Sequence, residues 1–450
     1  MTAASNNFIW RPDPERERGE LLLVGDVHLG RRPSGLDEIL ADHGLNPRQL
    51  SPATALELVT RHACQHPPRA VIFAGDLVDQ EDDCFEAYGD LERSVRTLRE
   101  AGIPVMSVAG NHDAKVLPRL VERVEGVELL GPGATWELRE LGGEGPPVDL
   151  LAWSFPASHH RASPLDSPGL GEALAGRRAG ARLLAVLHGD LGASSSNYAP
   201  LSRQRLADLQ LDGCFLGHVH QPGELAGEDR PLGYLGSLVG LDPAEVGARG
   251  PWRVEIPAAG PLRARQVALS PVRWERFQIP LEEEHARDED AIHVRMESWL
   301  AGRLAADETL QHDHLRAVVV RVELTGRIQE RRAVRSFVSG HEPRSTVFRL
   351  RDQPVIVQRV YDQTRAAADI EALAGASTPL GHIARQLLEL ESGGGDELVE
   401  RASRELEALG NWQLQDEEQL VLPSPRELLK ETLWRVLDTL LEQLEEKNAV

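Results

Sequence analysis

The chain has 450 residues, 41% of them hydrophobic and 27% charged, which is enough for two or three domains and typical of a folded globular protein. Lys and Arg total 49 against 71 Asp and Glu, a formal net charge of −22. That balance excludes a protein that coats nucleic acid through one broad basic face and leaves room only for a local basic groove. Three cysteines (Cys64, Cys84, Cys214) are too few and too scattered for a disulfide framework or a zinc ribbon. The first twenty residues lack the apolar stretch of a signal peptide. No run reaches the roughly 18 apolar residues of a membrane helix. The expectation is a cytoplasmic protein with no membrane partner.

Residues 1–20 form an extension before the first apolar run. To about residue 255 the chain then alternates short apolar runs with longer helical patterns. The runs are Leu21–Val24, Ala70–Ala74, Pro104–Ala109, Asp149–Trp153, Arg182–Leu187 and Cys214–Leu216. Helices are expected over Ser51–His66, opened by Ser51 and Pro52, and over Cys84–Ala101, ended by Gly102. This rhythm predicts an α/β fold with helices on both faces of the sheet. Segments 131–148 and 155–180, rich in Gly and Pro, read as loops. Leu262–Ile279 reads as paired strands, 280–304 as a polar helix, and Ala317–Leu324, Val347–Leu350 and Val355–Val360 as strands. Residues 276–365 are therefore expected to form a small α+β domain, and 366–450 a helical region broken at Ser392–Gly395. The last helix opens with a capping box, Ser424-Pro-Arg-Glu427, and carries Leu429, Leu433, Val436, Leu440 and Leu444 on one stripe. It either packs on its own domain or docks a partner through 425–446.

Five polar clusters each follow an apolar run. Asp26 and His28 follow the first, Asp76 and Asp79 the second, and Asn111, His112 and Asp113 the third; His188 follows a fourth, and His218 and His220 a fifth. Ligands of an open α/β sheet gather beyond the carboxyl ends of its strands, so five strands would deliver these side chains to one edge. Any one cluster alone reads equally well as a turn or a capped strand end; the ordered set of five does not. Carboxylate, carboxamide and imidazole donors without a thiolate suit Mn²⁺, Fe or Zn²⁺. There are donors enough for two ions sharing one carboxylate, as in two-metal phosphoryl chemistry.

Asp26-Val-His28, Gly75-Asp76-x-x-Asp79, Gly110-Asn-His-Asp113, His188 and Gly217-His-Val-His220 resemble the five motifs of the calcineurin-like metallophosphoesterases over residues 20–240. The resemblance implies a two-sheet sandwich flanked by helices over 21–275, with a capping domain and a helical C-terminal region after it. It implies that Asp26, His28, Asp76 and His220 hold one metal and Asp76, Asn111, His188 and His218 a second. His112 would act on the leaving group, and Asp79 would brace its loop.

The extensions His28-Leu-Gly30 and His218-Val-His-Gln-Pro222 look like the SbcD-type DNA repair exonucleases. The stretch from Gly240 to Trp252 is closer to YhaO-like relatives. Two departures stand out: the extension before the first strand, and Asp79 where DNA-cutting members often carry a His. The group implies a Mn²⁺-dependent nuclease acting on DNA, an SMC-like coiled-coil ATPase as partner, and a homodimer. Arg31 and Arg32, directly after Gly30 at the mouth of the site, either contact the phosphate backbone or belong to a solvated loop, two readings of equal weight here. Two rivals remain at this stage: a stand-alone phosphodiesterase or phosphatase for small phosphoesters, and a regulatory subunit with a vestigial metal site.

Overall fold

The computed structural model describes residues 19–36, 40, 44–80, 83–143, 145–193, 195–310, 313–329, 331–340, 347–350, 353–408 and 424–448. The extension at 1–18 lies outside them. The chain divides into two compact units. The first comprises residues up to Arg276 together with Ala301–Arg321 and Glu342–Gln358; the second comprises Phe277–Leu300, Val322–His341 and Arg359–Val450.

The first unit is an α/β sandwich of two sheets. Six strands make the first sheet: β1 (Glu20–Val24), β2 (Ala70–Ala74), β3 (Val105–Val108), β4 (Val127–Leu129), β10 (Trp252–Glu255) and β11 (Arg263–Gln266), in the order β11-β10-β1-β2-β3-β4. The second sheet is β5 (Trp136–Leu141), β6 (Val148–Trp153), β7 (Arg182–His188), β8 (Gly213–Gly217) and β9 (Leu232–Tyr234), in chain order. β1 pairs parallel with β2, Leu21 opposite Ala70, and β7 pairs parallel with β8, His188 opposite Gly217.

Successive residues of a strand face opposite sides, and in β1 both sides are buried. Leu21 and Leu23 join Ile72, Val108, Leu184 and Phe215 in the core between the sheets. Leu22 and Val24 face the other way, under α1 (Pro52–Gln65) and α2 (Cys84–Glu100), with Leu56, Val59, Leu91 and Val95. The outer face of the second sheet buries Leu151, Trp153 and Leu187 against Leu170 and Leu206 of the short helices Gly169–Ala175 and Arg203–Asp208. This double burial is why the strands appear in the sequence as unbroken apolar runs.

Three readings need correction. Segment 131–148 is not all loop, because Trp136–Leu141 forms β5, an edge strand antiparallel to β6. Only its two ends, Trp136 and Leu141, are buried, and the four residues between them are half-buried or exposed, so it offers no continuous apolar run to detect. Segment 155–180 likewise contains the helix at Gly169–Ala175. The strands in Leu262–Ile279 are real, but they do not pair with each other. β11 pairs with β10, whereas β12 (Val272–Pro280) lies in a four-stranded sheet beside β13 (Ala317–Ile328), then β15 (Gln353–Ala366) and β14 (Val347–Leu350).

Within the first unit, Ala317, Val319 and Ile356 complete the core above β1 and β2, which explains why 301–321 and 342–358 group there. The second unit includes α3 (Glu289–Ala305) up to Leu300, α4 (Arg332–Gly340), α5 (Pro379–Glu391), α6 (Asp396–Ala408) and α7 (Pro425–Asn448). Leu380, Ala384 and Leu387 pack on Trp434 and Leu437, while Leu428, Val436 and Leu444 of α7 face solvent. Its capping box is formed: Ser424 N donates to Glu427 Oε2 at 2.8 Å and Glu427 N to Ser424 Oγ at 3.3 Å. Among the described residues no helix is long and apolar enough to cross a membrane.

Candidate metal centre

The carboxyl ends of β1, β2, β3, β7 and β8 converge, and the side chains singled out in the sequence meet there. Asp26, His28, Asp76, Asn111 and His188 are buried, and His218, His220 and His112 are half-buried. Three of them sit at left-handed backbone angles: His28 at φ +53°, Asp76 at +49° and His218 at +101°. Non-glycine residues hold such angles only where the surroundings over-determine them. Gly110 is required by close approach, since a Cβ there would lie 2.1 Å from Asp76 Oδ1.

Hydrogen bonds fix the tautomers of the imidazoles. His28 Nδ1 donates to Asp79 Oδ1 at 2.8 Å, and His220 Nδ1 donates to Glu245 Oε1 at 3.0 Å. Both carboxyls lie below the usual carboxylate range: burial raises them, but the imidazole each one faces outweighs it. The Nε2 atoms of His28 and His220 therefore present lone pairs, and they lie 3.0 Å apart. With Asp26 they form one candidate cation site. Asp26 Oδ1 accepts the His218 backbone N–H at 2.8 Å, while its Oδ2 is buried with no hydrogen-bond partner.

A second group has the same logic. His188 Nδ1 donates to the Ala74 carbonyl at 2.9 Å, which turns Nε2 toward Asn111 Oδ1 at 3.0 Å and Asp76 Oδ2 at 3.2 Å. His218 Nε2 donates to Asp190 Oδ1 at 3.1 Å, which turns Nδ1 toward Asn111 Oδ1, also at 3.0 Å. Lone pairs face acceptor oxygens, so the group calls for a positive charge. Burial opposes protonation of His188, yet the charge of Asp76 pushes it up to about 9. Burial also raises Asp76, but His188 and the other imidazoles hold it far below the carboxylate range. These two convergent sets of nitrogen and oxygen donors, with an orphaned carboxylate oxygen between elements, fit a pair of hard or borderline divalent ions.

His112 is held at both ends. Its backbone N–H donates to Asp76 Oδ1 and its Nδ1 to the Asp79 carbonyl, both at 2.9 Å. Asp113 accepts the N–H groups of Gly110 (2.8 Å) and Leu77 (2.7 Å) and so ties the β2 and β3 loops together. Burial and the neighbouring Asp76 push its carboxyl up to about 7. Arg31 and Arg32 line a cavity beside the centre.

Sequence reasoning missed Asp190 and Glu245. Asp190 had a signal, directly following His188-Gly189 at a strand end. Glu245 had none: it lies in an irregular stretch, buried between His220, Ser237 Oγ and the buried Arg249. Arg249 in turn donates to the His220 carbonyl and to Gln221 Oε1.

The calcineurin-like phosphoesterase family matches residues 20–222, a span that contains all seven donors and His112. The chain carries a calcineurin-like metallophosphoesterase domain. Such domains are metal-dependent phosphoester hydrolases built on a dinuclear site. Over 94 residues the chain is 37% identical to the DNA double-strand break repair protein Mre11 of Aeropyrum pernix, covering 21% of each chain. Over 227 residues it is 26% identical to the uncharacterized metallophosphoesterase YhaO of Bacillus subtilis, covering 47% of this chain and 51% of that one. The matches thus span about a fifth and about half of those relatives. A dimetal phosphatase of Danio rerio superposes with a TM-score of 0.34 at 12% identity, covering 55% of this chain and 96% of that one.

Proposed function

We propose that this chain is a two-metal-dependent phosphodiesterase, and more narrowly the nuclease subunit of a DNA repair complex working with an SMC-like coiled-coil ATPase. The observation that carries the hydrolase reading is the convergence of seven nitrogen and oxygen donors from five strand ends in two adjoining sets. The likeness to a DNA double-strand break repair protein supports DNA as substrate. In this reading Asp26, His28 and His220 hold one ion, Asn111, His188 and His218 the other, and Asp76 serves both. Mn²⁺ is the ion the family resemblance implies, and Fe or Zn²⁺ would suit the same imidazole, carboxylate and carboxamide donors. Bound there, the ions would supply Lewis acidity and lower the pKa of a water for attack on phosphorus.

The chain's own residues do the rest. Asp79 and Glu245 hold the His28 and His220 rings by their Nδ1–H groups, so that both Nε2 atoms point inward. Asp190 does the same for His218 through Nε2–H. With its Nδ1 committed to the Asp79 carbonyl, His112 exchanges a proton with the leaving oxygen through Nε2, as a general acid. Arg31 and Arg32 bind the phosphate backbone. A homodimer completes the proposed assembly.

The test offers linear DNA and bis-p-nitrophenyl phosphate to the purified full chain with Mn²⁺, wild type beside His112→Ala. The expected result is cleavage of both substrates by the wild type and loss of about two orders of magnitude or more in the variant. DNA cleavage that survives in His112→Ala or Asp76→Ala would overturn the assignment. Cleavage of the small diester alone by the wild type would favour a small-molecule phosphodiesterase.

A further inference from the structure

The net charge of −22 leaves unexplained how this chain would hold a polyanion. Beside the metal centre lies a cavity of about 540 Å³ lined by Arg31, Arg32, Arg48 and Arg93, with Glu86 and Asp90 as its acidic groups. Four guanidinium groups against two carboxylates give a local excess of +2. Arg48 and Arg93 both pair with Asp90 while their side chains stay 68% and 50% exposed, so both are held in place and still open to solvent. The first turn of α1, a helix of 14 residues capped by Ser51, also lines the cavity and adds its N-terminal dipole. Arg31 links cavity and centre, because its charge is felt at both Asp79 and His220.

The second observation is aromatic. The chain has only 8 Phe and 4 Tyr, yet Phe85 is 87% exposed and Tyr88 is 37% exposed. They stand three residues apart on α2, so they share one face. Glu86, Gly89, Asp90 and Arg93, which line the cavity, occupy the adjoining stripe of the same helix. The start of α2 abuts the loop after His28, where a Cβ on Gly30 would lie 2.5 Å from Asp83 Cβ. Guanidinium groups for phosphates beside solvent-facing rings for bases are the two parts of a surface that binds single-stranded nucleic acid.

We infer that the arginine cavity and the Phe85–Tyr88 rim form a single-strand subsite next to the metal centre. The arginines hold a backbone phosphate flanking the scissile one, and the rings stack an unpaired base. The inference rests on the nuclease reading. It makes the substrate a strand end or an unpaired segment rather than an intact duplex.

The experiment measures binding of two phosphorothioate hexamers by the full chain, one hexathymidylate and one with abasic sugars throughout. Both carry the same backbone charge; only the first carries bases. Phe85→Ser with Tyr88→Ser is expected to weaken hexathymidylate about tenfold and to leave the abasic hexamer unchanged. Arg48→Gln with Arg93→Gln is expected to weaken both about tenfold, and to reduce the slope of log K against log salt by about 0.7 for each phosphate no longer neutralised. These residues lie at the surface, and circular dichroism with thermal melting checks that each variant is folded.

Hexathymidylate binding unchanged in either double variant would overturn the subsite. So would a blunt duplex bound more tightly than the single strand with no effect of the Phe85/Tyr88 change. If the wild type still cleaves phosphodiester DNA in those cases, the nuclease reading survives alone. If the wild type hydrolyses bis-p-nitrophenyl phosphate but neither binds nor cleaves any oligonucleotide, both readings fall.

Discussion

Glu245→Gln isolates the contribution of a residue that touches no proposed ion. Glu245 accepts the His220 Nδ1–H at 3.0 Å and the Ser237 hydroxyl, and it is buried. The substitution keeps the shape and an acceptor oxygen but removes the charge. Hydrogen bonds to charged groups contribute about 1.5–3 kcal/mol and neutral ones about 0.5–1.5, so the expected loss is about 1–1.5 kcal/mol. At about 1.4 kcal/mol per factor of ten, this is roughly a tenfold weakening of the ion held by His28 and His220. The range found for groups that orient metal-bound histidines, about 10–100-fold, begins at the same value. The assay is the Mn²⁺ concentration giving half-maximal hydrolysis of bis-p-nitrophenyl phosphate. It is expected to rise about tenfold, with the rate recovered at saturating Mn²⁺. Glu245 also faces the buried Arg249, so the melting temperature of the metal-free variant is measured alongside. A correctly folded Glu245→Gln protein with the wild-type Mn²⁺ requirement would refute the reasoning.

Metal should stabilise the fold as well as the reaction: at Mn²⁺ about 100 times its dissociation constant the gain is about 2.7 kcal/mol, and EDTA should lower the melting temperature accordingly. A melting curve indifferent to both would remove the metal assignment. His62 is held down to about 3 by burial and by the Arg253 guanidinium, so between that value and about 6.5 the folded chain binds fewer protons than the unfolded one. Stability should therefore fall on acidification from pH 6.5, by up to about 1.4 kcal/mol per pH unit from this group, and His62→Gln should flatten that part of a urea-midpoint profile. Phe215, fully buried between the two sheets, should cost about 3–5 kcal/mol as Phe215→Ala, read from urea unfolding. Burial pushes the Cys214 thiol up to about 12, so iodoacetamide should modify it only after denaturant is added, as followed by peptide mass spectrometry.

The strand ends of the site were legible because each combined an unbroken apolar run with a glycine and a polar cluster. In Ala70–Asp76 the run is long enough to show double burial, and Gly75 marks the turn into the site. What escaped the sequence was whatever depends on distant packing. β5 is an edge strand buried only at Trp136 and Leu141, and it is flanked by glycines and prolines that read as loop. The partnership of β12 with β13 rather than β11 is a long-range choice that no local pattern encodes. Glu245 meets His220 at a sequence separation of 25, with β9 between them. The His112 ring is held by the backbone carbonyl of Asp79, and a main-chain partner is something no side-chain pattern displays.

The charge inventory of the centre bears on which phosphoester it suits. Asp26, Asp76, Asp79, Asp190 and Glu245 place five carboxylates on or behind the proposed ligands. Asp113 is tied to the Gly110 and Leu77 N–H groups, behind the proposed ligands, and burial and Asp76 raise its carboxyl. Two divalent ions would bring four positive charges and the buried Arg249 guanidinium a fifth against those five, and neutral imidazoles add none. A centre so nearly balanced has no surplus to attract a dianionic phosphomonoester, and it would repel the second negative charge more than the first. A phosphodiester carries one charge per linkage, and the remaining attraction would come from Arg31 and Arg32 at the mouth of the centre. Under the proposed two-ion reading, this balance would favour diesters over monoesters. It also gives the arginine cavity a role that a chain of net charge −22 cannot delegate to its general surface.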